Sequence, residues 1–219
     1  MALNQLYSKG EEIFNSVSHG VGGLLAIVGC TILITMSALF GNWIAVTAST
    51  IYGLSLIFMY TMSTLYHALP FQNVKRVMQI MDHDCIYLLI AGTYTPITLI
   101  ILNESRRGIV IFTMVWVLAV IGIILNAVDM QRFKRASLVL YVMMGWAVIL
   151  DFSAVVKRLG GSGFLLLLLG GLSYTVGIIF YKLKRIRFMH GVWHLFVLCG
   201  SILQYLCVLL YILPVAQAQ

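Results

Sequence analysis

The chain contains five histidines, and two of them, His190 and His194, stand four apart in "HGVWH". On a helix, residues at this spacing stack on one face, so the pair can present two imidazole nitrogens to one ion. A third nitrogen, from His67 in "STLYH", would complete a set of three at about 2.0–2.1 Å from zinc. Zinc held by three protein ligands keeps a fourth position for water and lowers the pKa of that water towards about 7. Asp82 could hydrogen-bond this water as orienter or general base. Ser63, one turn before His67, could bond it or polarise a substrate carbonyl. H-x-x-x-H by itself is a weak signal, because two histidines at this spacing can also cap a helix at a polar interface. It gains weight only if the elements that carry these residues bring them together.

Those elements are apolar. Of 219 residues, 61% are hydrophobic and 10% charged, against about 25% charged in a soluble domain, which marks an integral membrane protein. A crossing helix needs roughly 20 mostly apolar residues. Seven such windows can be read, at about 20–40, 43–67, 84–102, 108–128, 137–156, 163–181 and 191–213. Runs such as "FLLLLLGG" do not alternate as the roughly 10-residue strands of a membrane barrel would. The expected fold is an all-α seven-transmembrane helix bundle, with an N-terminal segment 1–18, one seven-helix domain 19–213 and a short tail 214–219. Seven spans leave no room for a soluble domain. The first window follows Glu11 and Glu12 and shows no basic leader or cleavage signal, so it reads as a retained helix.

Charge sets the orientation. Lys9, Lys75, Arg76, Arg132, Lys134, Arg135, Lys182, Lys184, Arg185 and Arg187 fall on one side of this seven-span scheme, and Arg106, Arg107, Lys157 and Arg158 on the other. The positive-inside rule then places the N-terminus in the cytoplasm and the C-terminus outside. Topology accounts for the net charge of +7, which therefore gives no ground for a nucleic-acid partner. Cys30, Cys85, Cys199 and Cys207 stand singly and form no C-x-x-C pair, and they read as packing residues.

With this topology the candidate residues converge. Span two ends with Ser63 and His67, span three opens with Asp82, His83 and Asp84, span seven opens with His190 and His194, and span one opens with Asn15, Ser16, Ser18 and His19. All five histidines reach one end of the bundle. Ionisable groups inside a bilayer are costly and mark function. His19 and His83 read as supports that orient the ligands. Asp84 is expected to be solvated at a helix start, where a carboxylate suits the dipole. Asp129 belongs to a basic connection and Asp151 lies near the outer face, far from the cluster. Pro96 should kink span three. The aromatic residues are too evenly spread to define a cofactor box. With the ionisable residues gathered at one end and nothing at mid-depth, a proton or ion carrier is disfavoured.

The strings "NSVSHG", "STLYH", "DHDCIYLLIAGTYTP" and "HGVWHLFVLCGS", in this order, resemble the bacterial hemolysin III branch of the progestin and adiponectin receptor (PAQR) family, in the superfamily that includes alkaline ceramidases. The resemblance runs from about residue 11 to the end. It implies a seven-helix zinc hydrolase with an inward N-terminus in the bacterial inner membrane. The family's S-x-x-x-H falls on Ser63 and His67, its span-three aspartate on Asp82, and its H-x-x-x-H on His190 and His194. "MDHDC" carries a second aspartate, Asp84, so the Asp82 assignment depends on the register of "D-x-x-x-I-Y-L-L-I-A-G". A soluble ligand-binding N-terminal region is missing, which argues against hormone reception. The expected function is hydrolysis of a lipid amide or ester, with Zn2+ as cofactor, a membrane lipid as substrate and the oligomeric state open. The alternatives are a lipid receptor or sensor with structural zinc, and a lytic protein, as the hemolysin name implies. Against lysis, the chain offers neither a water-soluble form nor an exposed amphipathic segment.

Overall fold

The computed structural model describes residues 7–183 and 185–217, and every element among them is helical. In hydrocarbon a helix satisfies its own backbone groups, which suits these long apolar runs. The first helix, α1 (Lys9–Phe40), starts well before its apolar window because Ser8 and Glu11 form a capping box. The Glu11 carboxylate accepts from the Ser8 backbone at 2.9 Å, and Ser8 Oγ accepts from the Glu11 backbone at 3.4 Å. Asn42 then caps α2 (Trp43–Ala68). The short link between these helices makes them antiparallel neighbours.

Helix α3 (Gln72–Pro96) passes at Pro96 into a π-helical turn, Ile97–Ile101. Proline has no N–H to continue the α ladder, so the expected kink takes the form of this wider turn. Helix α4 (Arg106–Gly145) is broken at Asp129, whose φ of −158° and ψ of 90° are not helical. The Asp129 carboxylate accepts from the Gln131 and Arg132 backbones at 3.1 and 3.0 Å and so caps the second limb. A 3-10 segment, Ala147–Asp151, leads into α5 (Phe152–Lys182). Within α5, Gly160 has φ 68° and ψ 175°, a conformation open essentially to glycine alone. Helix α6 (Met189–Cys207), a π turn (Val208–Ile212) and α7 (Leu213–Gln217) complete the chain.

Five helical stretches are long and apolar enough to cross a membrane: Lys9–Phe40, Trp43–Ala68, Val74–Ile101, Arg106–Lys182 and Met189–Ala216. The protein is therefore a multi-pass membrane protein. If straight, the 77-residue stretch Arg106–Lys182 would reach roughly 115 Å, several times the ~30 Å hydrocarbon thickness. Its breaks at Asp129 and Gly160 divide it into shorter limbs. The expected window 137–156 is not one α-helix, because the 3-10 segment interrupts it after Gly145. There the Tyr94 hydroxyl donates to the Gly145 carbonyl at 2.9 Å and accepts from the Val148 backbone at 2.8 Å, replacing bonds that the α-helix would have made. The outermost parts of the expected N-terminal segment and tail, 1–6 and 218–219, lie outside the described residues, and the tail's 214–217 is helical.

Asp84 departs from its expected solvated place. Helix α3 begins at Gln72, so Asp84 sits in the helix interior and accepts a 2.9 Å hydrogen bond from Asn126 Nδ2. Ser137 donates to Asn126 Oδ1 at 2.7 Å, which links α3 to both limbs of α4. At the other end of the bundle Asp151 accepts from Ser105 and pairs with Arg107. The four cysteines are unpaired, three of them buried.

Helices α1 and α2 pack tightly where Gly53 faces Cys30: a Cβ at Gly53 would lie 2.3 Å from Cys30 Sγ and 3.1 Å from its Cα. Gly53→Ala is expected to destabilise the bundle by about 1–3 kcal/mol through overpacking, read as a lowered Tm in detergent. Cys30→Gly in the same chain should recover part of that loss.

Candidate metal centre

His67 ends α2 and His190 and His194 begin α6, and the structure brings all three together. One ligand nitrogen from each lies within 4.8 Å of the others. Nε2 of His190 and Nε2 of His194 are 3.2 Å apart, close to the roughly 3.3 Å edge of a tetrahedron with zinc–nitrogen bonds of about 2.0–2.1 Å. Burial is nearly complete for His67 and His194, at 3% and 1% exposure.

The partners of these rings present the right nitrogens. His67 Nδ1 lies 2.6 Å from Glu12 Oε2. A carboxylate can only accept, so in the neutral ring Nδ1 carries the hydrogen and Nε2 carries the lone pair. That Nε2 is buried and has no hydrogen-bond partner among the described residues, as a nitrogen reserved for an ion would be. His194 Nδ1 faces the Asn15 carbonyl at 3.2 Å and Ser18 Oγ at 3.2 Å, which likewise turns Nε2 towards His190. The donor set thus fits zinc: three imidazoles, oriented from behind by an acid and a carbonyl.

Ser63, one turn before His67, is fully buried, and its Oγ has no partner among the described residues. Asp82 is not among the three ligand residues. Its carboxylate interacts electrostatically with the hydroxyls of Tyr7, Tyr66 and Tyr181, whose rings border the histidines. Tyr66 lies 4.6 Å from His67 and Tyr181 6.2 Å from His190, ring centre to ring centre. His19 stacks on His194 at 3.6 Å, with both its own nitrogens buried and unpartnered among the described residues. It therefore supports the centre by ring contact. His83 is not one of the trio: its Nδ1 meets the Gln79 carbonyl at 2.8 Å and its Nε2 meets the hydroxyl of Tyr181 at 3.3 Å, and the Tyr181 ring borders His190.

Three residues that composition and spacing had not singled out belong to the centre. Glu12 bridges His67 and Lys75. Glu11 accepts at 2.9 Å from the backbone of Phe188, a left-handed residue with φ 62° at the threshold of α6. Tyr7 stacks on His190 at 4.9 Å and meets His67 edge-on at 5.7 Å. Burial pushes the Tyr7 hydroxyl above the usual phenol range, and its neighbouring tyrosines and the Asp82 and Glu12 carboxylates push the same way, so it stays protonated. The signal for Glu12 was present in an acid one turn ahead of Asn15, but only a contact could assign it to His67.

A mostly apolar cavity of about 300 Å³, at the small end of known ligand pockets, is lined in part by Tyr181, whose ring centre lies 6.2 Å from that of His190. His83, Tyr181 and Trp193 line the end nearest the histidines. Ile90, Tyr94 and Ile97 carry its wall deeper along α3.

If the group holds zinc, Glu12→Ala should weaken binding by about 10- to 100-fold, measured by chelator competition on purified protein, and His194→Ala should abolish it.

The family described as "Haemolysin-III related" matches residues 7–205. "Hemolysin-3" of Bacillus cereus is 44% identical over 206 residues, covering 94% of each chain. "Hemolysin-3 homolog" of Bacillus subtilis is 40% identical over 210 residues, 96% of this chain and 98% of the relative. "Monocyte to macrophage differentiation factor" of Homo sapiens is 29% identical over 211 residues, 92% of this chain and 84% of the relative. With a family match across nearly its whole length and bacterial relatives above 40% identity, the chain belongs to the haemolysin-III related family.

Proposed function

We propose that this protein is a zinc-dependent membrane hydrolase acting on an amide or ester of a lipid. The observation that carries the reading is the His67, His190 and His194 group, with one nitrogen from each gathered within 4.8 Å beside an apolar cavity. Three protein ligands suit a catalytic rather than a structural zinc, which normally has four. A bound zinc would supply Lewis acidity and an activated water.

The chain's own residues then divide the work. His67, His190 and His194 would hold the ion, with Glu12 directing the lone pair of His67 and the Asn15 carbonyl that of His194. Asp82 orients the attacking water and takes its proton. Ser63 Oγ, buried without a partner among the described residues, donates to the carbonyl oxygen as charge develops there. Tyr7 covers the centre from the N-terminal side. The cavity takes the lipid chain and excludes water from the reacting groups.

The breaks at Asp129 and Gly160 support three crossings within Arg106–Lys182, hence seven in all. The basic residues support a cytoplasmic N-terminus and an outer C-terminus in a bacterial inner membrane. The site then opens towards the cytoplasm. A reporter fused at the C-terminus is expected to be active only in its periplasmic or extracellular form, and a cytoplasmic signal would remove the seven-span scheme.

Purified protein should carry about one zinc per chain, lost in His194→Ala, and should release fatty acid from a panel of ceramides, acyl amides and phospholipid esters. Asp82→Ala should retain zinc and lose that release. Absence of zinc from the wild type would remove the site reading. Saturable lipid binding without turnover would favour a sensor. Leakage from liposomes undiminished in His190→Ala would favour direct lysis, the property named in the Bacillus cereus relative.

A further inference from the structure

The mostly apolar cavity wall also carries polar side chains, His83, Thr93 and Thr175 among them, but of the described lining residues only Gln204 keeps a buried side-chain atom without a hydrogen-bond partner. Gln204 lines it and is only 6% exposed. Its Nε2 donates to the Leu167 carbonyl at 3.0 Å. A carbonyl can only accept, so this bond determines which end of the amide is nitrogen. The other end, Oε1, is buried and has no hydrogen-bond partner among the described residues. Three residues earlier on the same helix, Ser201 shares a 2.9 Å hydrogen bond with the Tyr174 hydroxyl, and Tyr174 also lines the cavity. The close approach of α5 at Gly170 admits the glutamine, since a Cβ there would lie 2.7 Å from Gln204 Nε2.

A buried amide oxygen left dry is expensive, and an apolar side chain of similar size would have sealed the wall without that cost. The acceptor therefore implies a donor that arrives with the ligand. Gln204 lies ten residues beyond His194 on α6, or about 15 Å along the helix axis. An extended hydrocarbon chain advances roughly 1.3 Å per carbon, given C–C bonds near 1.5 Å. The station is thus about a dozen carbons from a head group at the metal centre.

We infer that the cavity selects a lipid whose chain carries a hydroxyl near its middle, with Gln204 Oε1 as the acceptor that recognises it. Gln204 is a specificity residue, remote from the reacting atoms. The inference rests on the reading of the cavity as a lipid-chain site, and its test separates the two.

The probes are 12-hydroxystearate, 2-hydroxystearate and stearate, titrated into the zinc-loaded full-length protein in nanodiscs by displacement of a fluorescent fatty acid. The 12-hydroxy acid is expected to bind about threefold to tenfold more tightly than stearate, the worth of one satisfied hydrogen bond. The 2-hydroxy acid, whose hydroxyl stays beside the carboxylate, should show none of this gain. Gln204→Leu should erase the preference while keeping stearate affinity, which also reports an intact cavity. Equal affinities of the wild type for all three acids would overturn the inference, with the acceptor then met by water, and leave the lipid reading standing. A preference that survives in Gln204→Leu would overturn it too. Binding of none of the acids would remove the lipid reading and this inference with it. Should Gln204→Leu fail to fold, the wild-type comparison of the two hydroxy acids decides alone.

Discussion

The gathering of His67, His190 and His194 depends on how two adjacent carboxylates of α1 are used. Neighbouring residues on a helix point about 100° apart, so Glu11 and Glu12 face different partners. Glu12 reaches His67 and Lys75, tying α1 to the end of α2 and the start of α3. Glu11 holds the Phe188 backbone in its left-handed conformation at the entrance to α6. One turn of α1 thereby locates both ligand-bearing helix ends. Truncating either acid would leave buried or half-buried polar partners unmet in a medium of low dielectric, where that is most costly.

The same logic of satisfied polar groups runs through the bundle. Where the α ladder fails, a side chain steps in: Asp129 caps the second limb of α4, and Tyr94 closes the gap between Gly145 and Val148. Asp84 and Asn126 follow the rule between helices. Against this background the unmet atoms stand out. His67 Nε2, Ser63 Oγ and Gln204 Oε1 are buried and unpartnered among the described residues, the first two at the metal centre and the third in the cavity wall. Asn15, His19, Tyr52, Tyr60 and Tyr87 also carry such atoms, and the three named lie at the candidate centre and in the cavity wall, where a ligand would complete the structure.

Centre and cavity reinforce each other physically. Burial of His67 and His194 keeps water from their rings, which strengthens the charge interactions there. The His19 ring stacks on His194 and the Tyr7 ring on His190, which shields both histidines. Ligand chemistry is thus concentrated at one end, and shape selection extends away from it.

Much of this was legible from residue types and spacing. Apolar runs of spanning length are a local property, as is the i, i+4 stacking of His190 and His194, and the distribution of Lys and Arg was enough to send His67 to the same end. Helix limits were less legible where a cap or break depended on a single side chain or φ value, as at Ser8, Asp129 and Gly160. Asp84 was misplaced because the true start of α3 lay twelve residues upstream, outside the apolar window. The sequence by itself determined an all-helical membrane protein and singled out the three histidines that the structure gathers into one group. Only the tertiary structure decided that Glu12 orients His67, that Tyr7 covers the centre, that His83 turns towards Tyr181 and that Gln204 meets the cavity. Those roles arise from distances between residues far apart in the chain, and no periodicity along one helix records what stands opposite it.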